Sequence, residues 1–205
     1  KVPVFSFEKL TDVDTQLGPE MKSTGEVLGI GKNLEEALYK GLVAAGYKMQ
    51  KKGGVFISVR KTDKIEVKAI AKKYAELGFQ LYATKGNAEA IESSGMDVTP
   101  VNKIHENPDN NVMTLLESKK INYIISTSAK GRDPARDSVK IRRKASLLGI
   151  PCFTALDTAN AMAECLMTKY SQHNTELVNI NDMRKEKLSL KFTKMIGCGN
   201  DYIYI

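Results

Sequence analysis

The sequence predicts an α/β protein, a three-layer α/β/α sandwich around a mainly parallel, five-stranded sheet. Three observations carry this. From Val55 onward, short apolar runs rich in β-branched residues alternate with longer runs of helical period. Each apolar run passes directly into a polar turn and then a helix, the order that builds parallel sheets covered on both faces. Glycines at 78 and 149 stop the helical runs.

In chain order, residues 3–10 (PVFSFEKL) read as an edge strand, and Gly18-Pro19 breaks the turn-rich sequence behind it. Residues 33–46 read as a helix, with Asn33 as N-cap, Glu36 completing a capping-box-like pair, Leu34, Leu38, Leu42 and Ala45 as the buried stripe and Gly46 as the stop. Lys51-Lys52-Gly53-Gly54 marks a boundary between a first segment, 1–52, and the domain proper, 53–170. A strand at 55–59 leads to a helix at 63–77, where Val67, Ile70, Ala71, Tyr74 and Leu77 recur at helical spacing and Lys68, Lys72, Lys73 and Glu76 lie outside. A strand at 79–83, a helix at 87–94, a strand at 98–101, a helix at 111–119 and a strand at 121–126 follow. Asp133-Pro134 supplies an N-cap and N1 proline for a helix ending at Gly149. A strand at 151–154 and a helix at 157–169, with Ala159, Met162, Ala163, Leu166 and Met167 inside, complete the domain. Residues 171–189 read as a polar linker, and 190–205 as two short strands around Gly197–Asp201 that stop without a partner.

Composition narrows the function classes. The chain has 205 residues, is 42% hydrophobic and has a formal charge of +7. No apolar run approaches the ~18 residues of a membrane span, and no signal-peptide h-region opens the chain, so no membrane partner is expected. Lys1 is not an initiator Met, and a longer parent chain is expected. Three cysteines (Cys152, Cys165, Cys198) without metal or redox spacing read as reduced thiols in a cytoplasmic protein, two of them in the core. His105 and His173 are far apart and near no cysteine, so no metal is expected. The lysines fall on helix faces rather than in a block, there is no Trp, and nucleic acid is not an expected partner.

The strand ends carry the chemistry. In an open parallel sheet, ligands collect at the carboxyl ends of the strands. Four of those ends hold Lys64, Thr84, Lys103 and Ser126/Thr127, which together predict one pocket for a small anion, a phosphate ester. Thr84-Lys85-Gly86-Asn87 joins a strand to a helix, where glycine lets backbone approach and free N–H groups attract an anion. Ser126, Thr127 and Ser128 add hydroxyls that can meet a ribose, a base edge or phosphate. Lys130, Arg132, Arg142 and Arg143 form a second cationic group, the last two read as surface ion pairs. Asp63 and Asp137 stand where a base would, and Asp137 reads as an ion-pair partner of Arg142 and Arg143. His105-Glu106 reads as structural, since nothing beside it completes a nucleophile, base and orienting group. The pocket has binders and no assigned catalytic residue.

SVRKTDK (58–64), LYATKGNAEAI (81–91), VNKIHE (101–106), YIISTSAKGR (123–132), DSVKIRR (137–143) and FTALDTANAMA (153–163) resemble, in order, the carboxyl-terminal regulatory domain of the carbamoyl-phosphate synthase large subunit, of the methylglyoxal-synthase-like class. GPEMKSTGEV (18–27) resembles the end of the preceding ATP-grasp half, whose ATP- and Mg-binding lobes are outside this sequence. The resemblance therefore implies no cofactor and no carbamoyl phosphate synthesis for this chain alone. LKFTKMIGCGNDYIYI (190–205) is similar to the opening of diaminopimelate epimerase, which would make Asn200 a substrate contact. The resemblance implies an effector pocket of Ser58, Lys64, Thr84, Asn87, Lys103, Ser126, Thr127 and Ser128 for UMP or IMP, with Thr154 beside the activator ornithine. Asn87 stands where a second Thr is expected, Ser126 for an Asn and Ser128 for a Thr. Implied partners are the rest of the synthase large chain and its glutaminase small subunit, in pyrimidine and arginine biosynthesis. Two alternatives stand beside this: a methylglyoxal synthase, whose Gly-Gly-Asp turn is replaced here by TSAKGRDPARD, and a function set by the epimerase-like end.

Overall fold

The computed structural model describes residues 1–6, 20–107, 109–127, 137–171, 174–183, 193–197 and 200–204. Strands β1 (Val2–Val4) and β2 (Gly25–Val27) form an antiparallel pair. Helix α1 (Leu34–Ala44) follows, and Asn33 caps it by accepting from the Glu36 amide at 2.8 Å. The domain proper then alternates β3 (Gly54–Ser58), a 3-10 turn (Lys61–Asp63), α2 (Lys64–Glu76), β4 (Gln80–Thr84), α3 (Lys85–Glu92), β5 (Thr99–Val101), α4 (Val112–Glu117), β6 (Ile121–Ser126), α5 (Asp137–Leu147), β7 (Cys152–Phe153) and α6 (Leu156–Met167). A short helix α7 (Ile180–Met183) and the hairpin β8 (Thr193–Gly197) and β9 (Asn200–Tyr204) complete the described chain.

The five central strands are all parallel, in the order β5-β4-β3-β6-β7. The sheet grows outward in one direction from β3 through β5, then restarts on the other side of β3 with β6. The strand order thus reverses between β3 and β6, where open α/β sheets leave a crevice at their carboxyl edge. Side chains alternate across the sheet with period two. Val55, Ile57, Leu81, Ala83, Tyr123 and Ile125 pack with α1, α2, α3 and α6 on one face. Phe56, Tyr82, Ile121 and Ile124 pack with α4 and α5 on the other.

The predicted three-layer α/β/α sandwich with a parallel five-stranded sheet is therefore the observed one. Several details differ. Leu34, placed in the α1 stripe, is exposed, while Glu36 is buried. The Glu36 carboxylate, expected as the capping-box partner of Asn33, accepts instead from the Lys32 amide at 2.8 Å and pairs with Lys40 Nζ at 2.7 Å, which satisfies its charge where it is buried. Met167 is also exposed, because α6 ends there. Arg142, read as a surface ion pair, is buried at 2% exposure between α5 and the sheet edge. Asp137 lies 3.7 Å from His105 Nδ1, a neighbour that the sequence reading did not give it. The terminal strands pair with each other, correcting the expectation of an unpartnered edge. Helix α5 is described only from Asp137, so the Asp133-Pro134 cap lies outside the described residues. The 52/53 boundary is not a break in packing, since Tyr39 and Leu42 of α1 share one core with β3 and α6.

Gly53 shows why that boundary needs glycine. Its φ is +125°, and a β-carbon there would lie 1.6 Å from Asn122 Oδ1, the atom that accepts from the Gly54 amide at 3.0 Å.

Burial also sets an alkaline limit. Enclosure pushes the Cys165 thiol up to about 11, the Cys152 thiol up to about 12 and the Tyr123 phenol up to about 12, and it raises Tyr74 as well. A raised native pKa leaves stability intact below the group's ordinary value and removes it as pH climbs toward the folded value. The melting temperature should hold steady from pH 7 to 8 and fall above about pH 9, as stability drops by on the order of a few kcal/mol near pH 11. Circular dichroism melts across this range check it; an unchanged midpoint at pH 11 would contradict the enclosure of these groups.

Candidate functional site

The carboxyl edge of the sheet gathers polar side chains in two clusters. The first is built on the β4–α3 turn. Thr84 ends β4 and occupies the N-cap position of α3, yet its side chain makes no capping hydrogen bond. Its Oγ1 instead accepts from Asn87 Nδ2 at 2.8 Å, which leaves the hydroxyl proton free to donate outward. Lys64, the first residue of α2, crosses to this turn and donates from Nζ to the Gly86 carbonyl at 2.6 Å. A β-carbon on Gly86 would meet that ammonium at 3.4 Å, about ordinary van der Waals contact. One cation, one hydroxyl, one side-chain amide and the start of α3 thus gather at the β4–α3 turn, donor types that can meet a phosphate.

The second cluster spans the topological switch point. Ser58 and Ser126 are register partners at the ends of β3 and β6. Beyond them the Arg60 amide donates to Thr127 Oγ1 at 3.0 Å. The Arg60 guanidinium grips Asp63 with two bonds, Nε to Oδ2 at 2.9 Å and Nη2 to Oδ1 at 3.0 Å. Thr62 adds a hydroxyl to the same carboxylate at 2.9 Å, and Thr127 hydrogen-bonds it as well. Arg60, followed by these hydroxyls, holds the Asp63 carboxyl below the usual carboxylate range. Asp63 is therefore a brace across the switch point rather than a base awaiting a proton. Sequence reasoning missed this brace; the Arg60 and Asp63 spacing of three was its one signal, and that spacing is equally common on helix faces.

Two atoms in these clusters lack partners. Asn87 Oδ1 and Ser126 Oγ are sealed from solvent without a hydrogen bond among the described residues. Buried polar atoms are nearly always satisfied, and an unmet one costs about 1–3 kcal/mol. Thr84, Asn87, Ser126 and Thr127 are all buried, and the Lys64 ammonium lies on the Gly86 carbonyl beside the first cluster.

The structure does not place every expected residue here. Lys103 is exposed on the loop after β5; its amide donates to Glu106 at 2.9 Å, and its ammonium has no recorded contact with Lys64 or Thr84. Ser128 lies outside the described residues, as do Lys130 and Arg132. Thr154 is at the opposite edge of the sheet, past β7, where it lines a separate cavity. Asn200 starts β9, paired with Gly197 of β8. Among the described residues no cluster of His, Cys, Asp and Glu could hold a metal ion. Among the same residues no helix is long and apolar enough to cross a membrane.

The five-stranded parallel sheet, covered by helices on both faces and reversing its strand order between β3 and β6, defines a three-layer α/β/α domain. Residues 66–154, from the first turn of α2 to just past β7, match the model of the MGS-like domain family.

Proposed function

We propose that this MGS-like domain is the effector-binding region of a carbamoyl-phosphate synthase large chain and that it senses a nucleoside monophosphate, UMP or IMP. The observation that carries the reading is the separation of the two unsatisfied atoms. Asn87 Oδ1 sits beside the α3 start and Ser126 Oγ two strands away, roughly 10 Å at ordinary strand spacing. A phosphate held by Lys64 and Thr84 leaves Ser126 for the far end of a ligand as long as a ribose with its base. A three-carbon phosphate bound at the same turn does not reach it.

The methylglyoxal synthase alternative needs a free base near the phosphate site. Of the two carboxylates considered for that role, Asp63 is committed to Arg60 and Asp137 faces His105. The domain then acts by binding. Effectors bias two arrangements of a larger enzyme through a coupling of ~1–3 kcal/mol, and ATP, Mg and the glutaminase subunit belong to that enzyme.

Calorimetric titration of the chain with UMP, IMP and inorganic phosphate is the direct test. A nucleotide should bind more tightly than phosphate alone and raise the melting temperature, since it binds only the native state. Lys103→Ala reports whether the exposed third lysine folds over the ligand and should weaken binding. Equal affinity for phosphate and UMP would remove the extended-ligand reading, and release of methylglyoxal from dihydroxyacetone phosphate would replace it with the enzymatic one.

A further inference from the structure

The two polar clusters are joined through one residue. Asp63 occupies the N-cap position of α2, where an aspartate ordinarily accepts a hydrogen bond from an amide of the first turn, yet its side chain makes no capping bond. It is buried, and its carboxylate is turned instead to the Arg60 guanidinium, the Thr62 hydroxyl and Thr127. The Arg60 amide donates to Thr127 Oγ1 at 3.0 Å, and the Asp63 amide closes the turn on the Arg60 carbonyl at 3.1 Å. Thr127 directly follows β6. Lys64 directly follows Asp63, and its ammonium rests on the Gly86 carbonyl of the β4–α3 turn at 2.6 Å. A continuous path of hydrogen bonds and one peptide link thus runs from the end of β6 to that turn.

We infer that Asp63 is a positioning residue, which forgoes the helix cap to fix the start of α2 against β6 and so holds the Lys64 ammonium where the phosphate of the ligand binds. This role rests on the effector reading, and Asp63 itself touches no ligand. A lysine stem is flexible, so what the fold can fix is its root, and Asp63 is the residue beside that root. A two-pronged guanidinium grip sets orientation as well as distance, which a single hydrogen bond does not. Arg60 also keeps the carboxyl ionised, below the usual carboxylate range, and its positive charge offsets an anion that would otherwise oppose a phosphate nearby. A carboxylate only accepts, so the Thr127 proton goes to Asp63 while the Thr127 oxygen receives the Arg60 amide. The end of β6 is thereby part of what places Lys64.

A thermodynamic cycle with UMP, measured by calorimetry on the full chain, tests this. Asp63→Asn keeps the shape of the side chain and replaces one acceptor oxygen with a donor, so the Arg60 fork cannot close on it. UMP should bind this variant about 10-fold more weakly. In the Lys64→Ala background the same change should alter Kd by less than about twofold, since no ammonium is left to position. Urea midpoints should fall by similar amounts in both backgrounds, because the brace stabilises the fold with or without Lys64. Arg60→Lys keeps the charge and loses the fork; it should weaken UMP binding about threefold and serves if Asp63→Asn does not fold. An equal loss of affinity in both backgrounds, or unchanged UMP binding in Asp63→Asn or in Arg60→Lys, would overturn the inference and leave the effector reading standing. No binding of UMP to the wild-type chain would remove both.

Discussion

Replacing Thr84 with valine should lower UMP affinity by about 10- to 100-fold, and Lys64→Ala by a similar factor. A hydrogen bond to a charged group contributes ~1.5–3 kcal/mol, and each 1.4 kcal/mol is tenfold in Kd. Thr84 is the sharper probe because its hydroxyl has no structural duty as a helix cap. Valine keeps the shape of the β4 end and removes one internal bond, from Asn87 Nδ2. Folding should therefore survive with a loss of about 1 kcal/mol. Lys64 is more exposed, and its one recorded bond goes to the Gly86 carbonyl. Removing it leaves that carbonyl to solvent at little cost, while deleting the cation that faces the phosphate. Isothermal titration of each variant, with urea unfolding alongside, separates binding from stability. Wild-type affinity in both variants would move the phosphate away from the β4–α3 turn and remove the structural basis of the proposed effector site.

The sheet was legible because most of its residues obey one rule. Along β3, β4 and β6 neighbouring side chains go to opposite faces, apart from an irregularity where β6 begins, and both faces are apolar, as a parallel sheet covered on both sides requires. Helix faces were less legible where a charge was locally satisfied. Nothing in the run LEEAL announces that Glu36 is buried and Leu34 exposed; the reason lies in Lys32 and Lys40, which supply the carboxylate with its donors. Arg142 failed in the same way. Its neighbours on α5 are charged, so the period suggested a solvated side chain, whereas the sheet edge and β7 close over it.

The grouping at the β4–α3 turn was legible because it is local. Lys64, Thr84, Gly86 and Asn87 lie at or after a strand end, and topology brings those ends to one edge. The direction of Lys103 was not legible. A lysine on an exposed loop has several rotatable bonds and no packing to fix them, so its position in sequence says little about where its ammonium goes. The Arg60 and Asp63 brace depends on a turn whose geometry only the fold creates. Thr127, expected as a ligand contact, is also the hydroxyl that ties β6 to the loop after β3.

Tyr74→Ala should be the most destabilising single substitution in the domain core, by about 3–5 kcal/mol. The ring is fully buried on α2 and meets Phe79 edge-on, with centroids 5.6 Å apart, and Tyr123 at 6.2 Å. Tyr123 in turn stacks on Phe153 at 6.1 Å, so one aromatic chain runs from α2 across β6 to β7. Tyr74 also donates its hydroxyl to the Ala159 carbonyl at 3.1 Å, which ties α2 to α6. Alanine removes the ring contacts, opens a void beneath the sheet and leaves that helical carbonyl without its added partner. Tyr74→Phe removes only the hydroxyl and should cost about 1 kcal/mol. A domain with the usual ~5–15 kcal/mol of total stability would survive the second change and be largely spent by the first. Urea midpoints with the slope held constant measure both. A loss under about 1.5 kcal/mol for Tyr74→Ala would mean that the two faces of the sheet share the stability more evenly than this aromatic chain implies. The alanine variant has a second use. Tyr74 sits on the helix that begins with Lys64, so loosening α2 should weaken UMP binding in Tyr74→Ala and leave it intact in Tyr74→Phe, because the phosphate-facing ammonium is only as well placed as the helix beneath it.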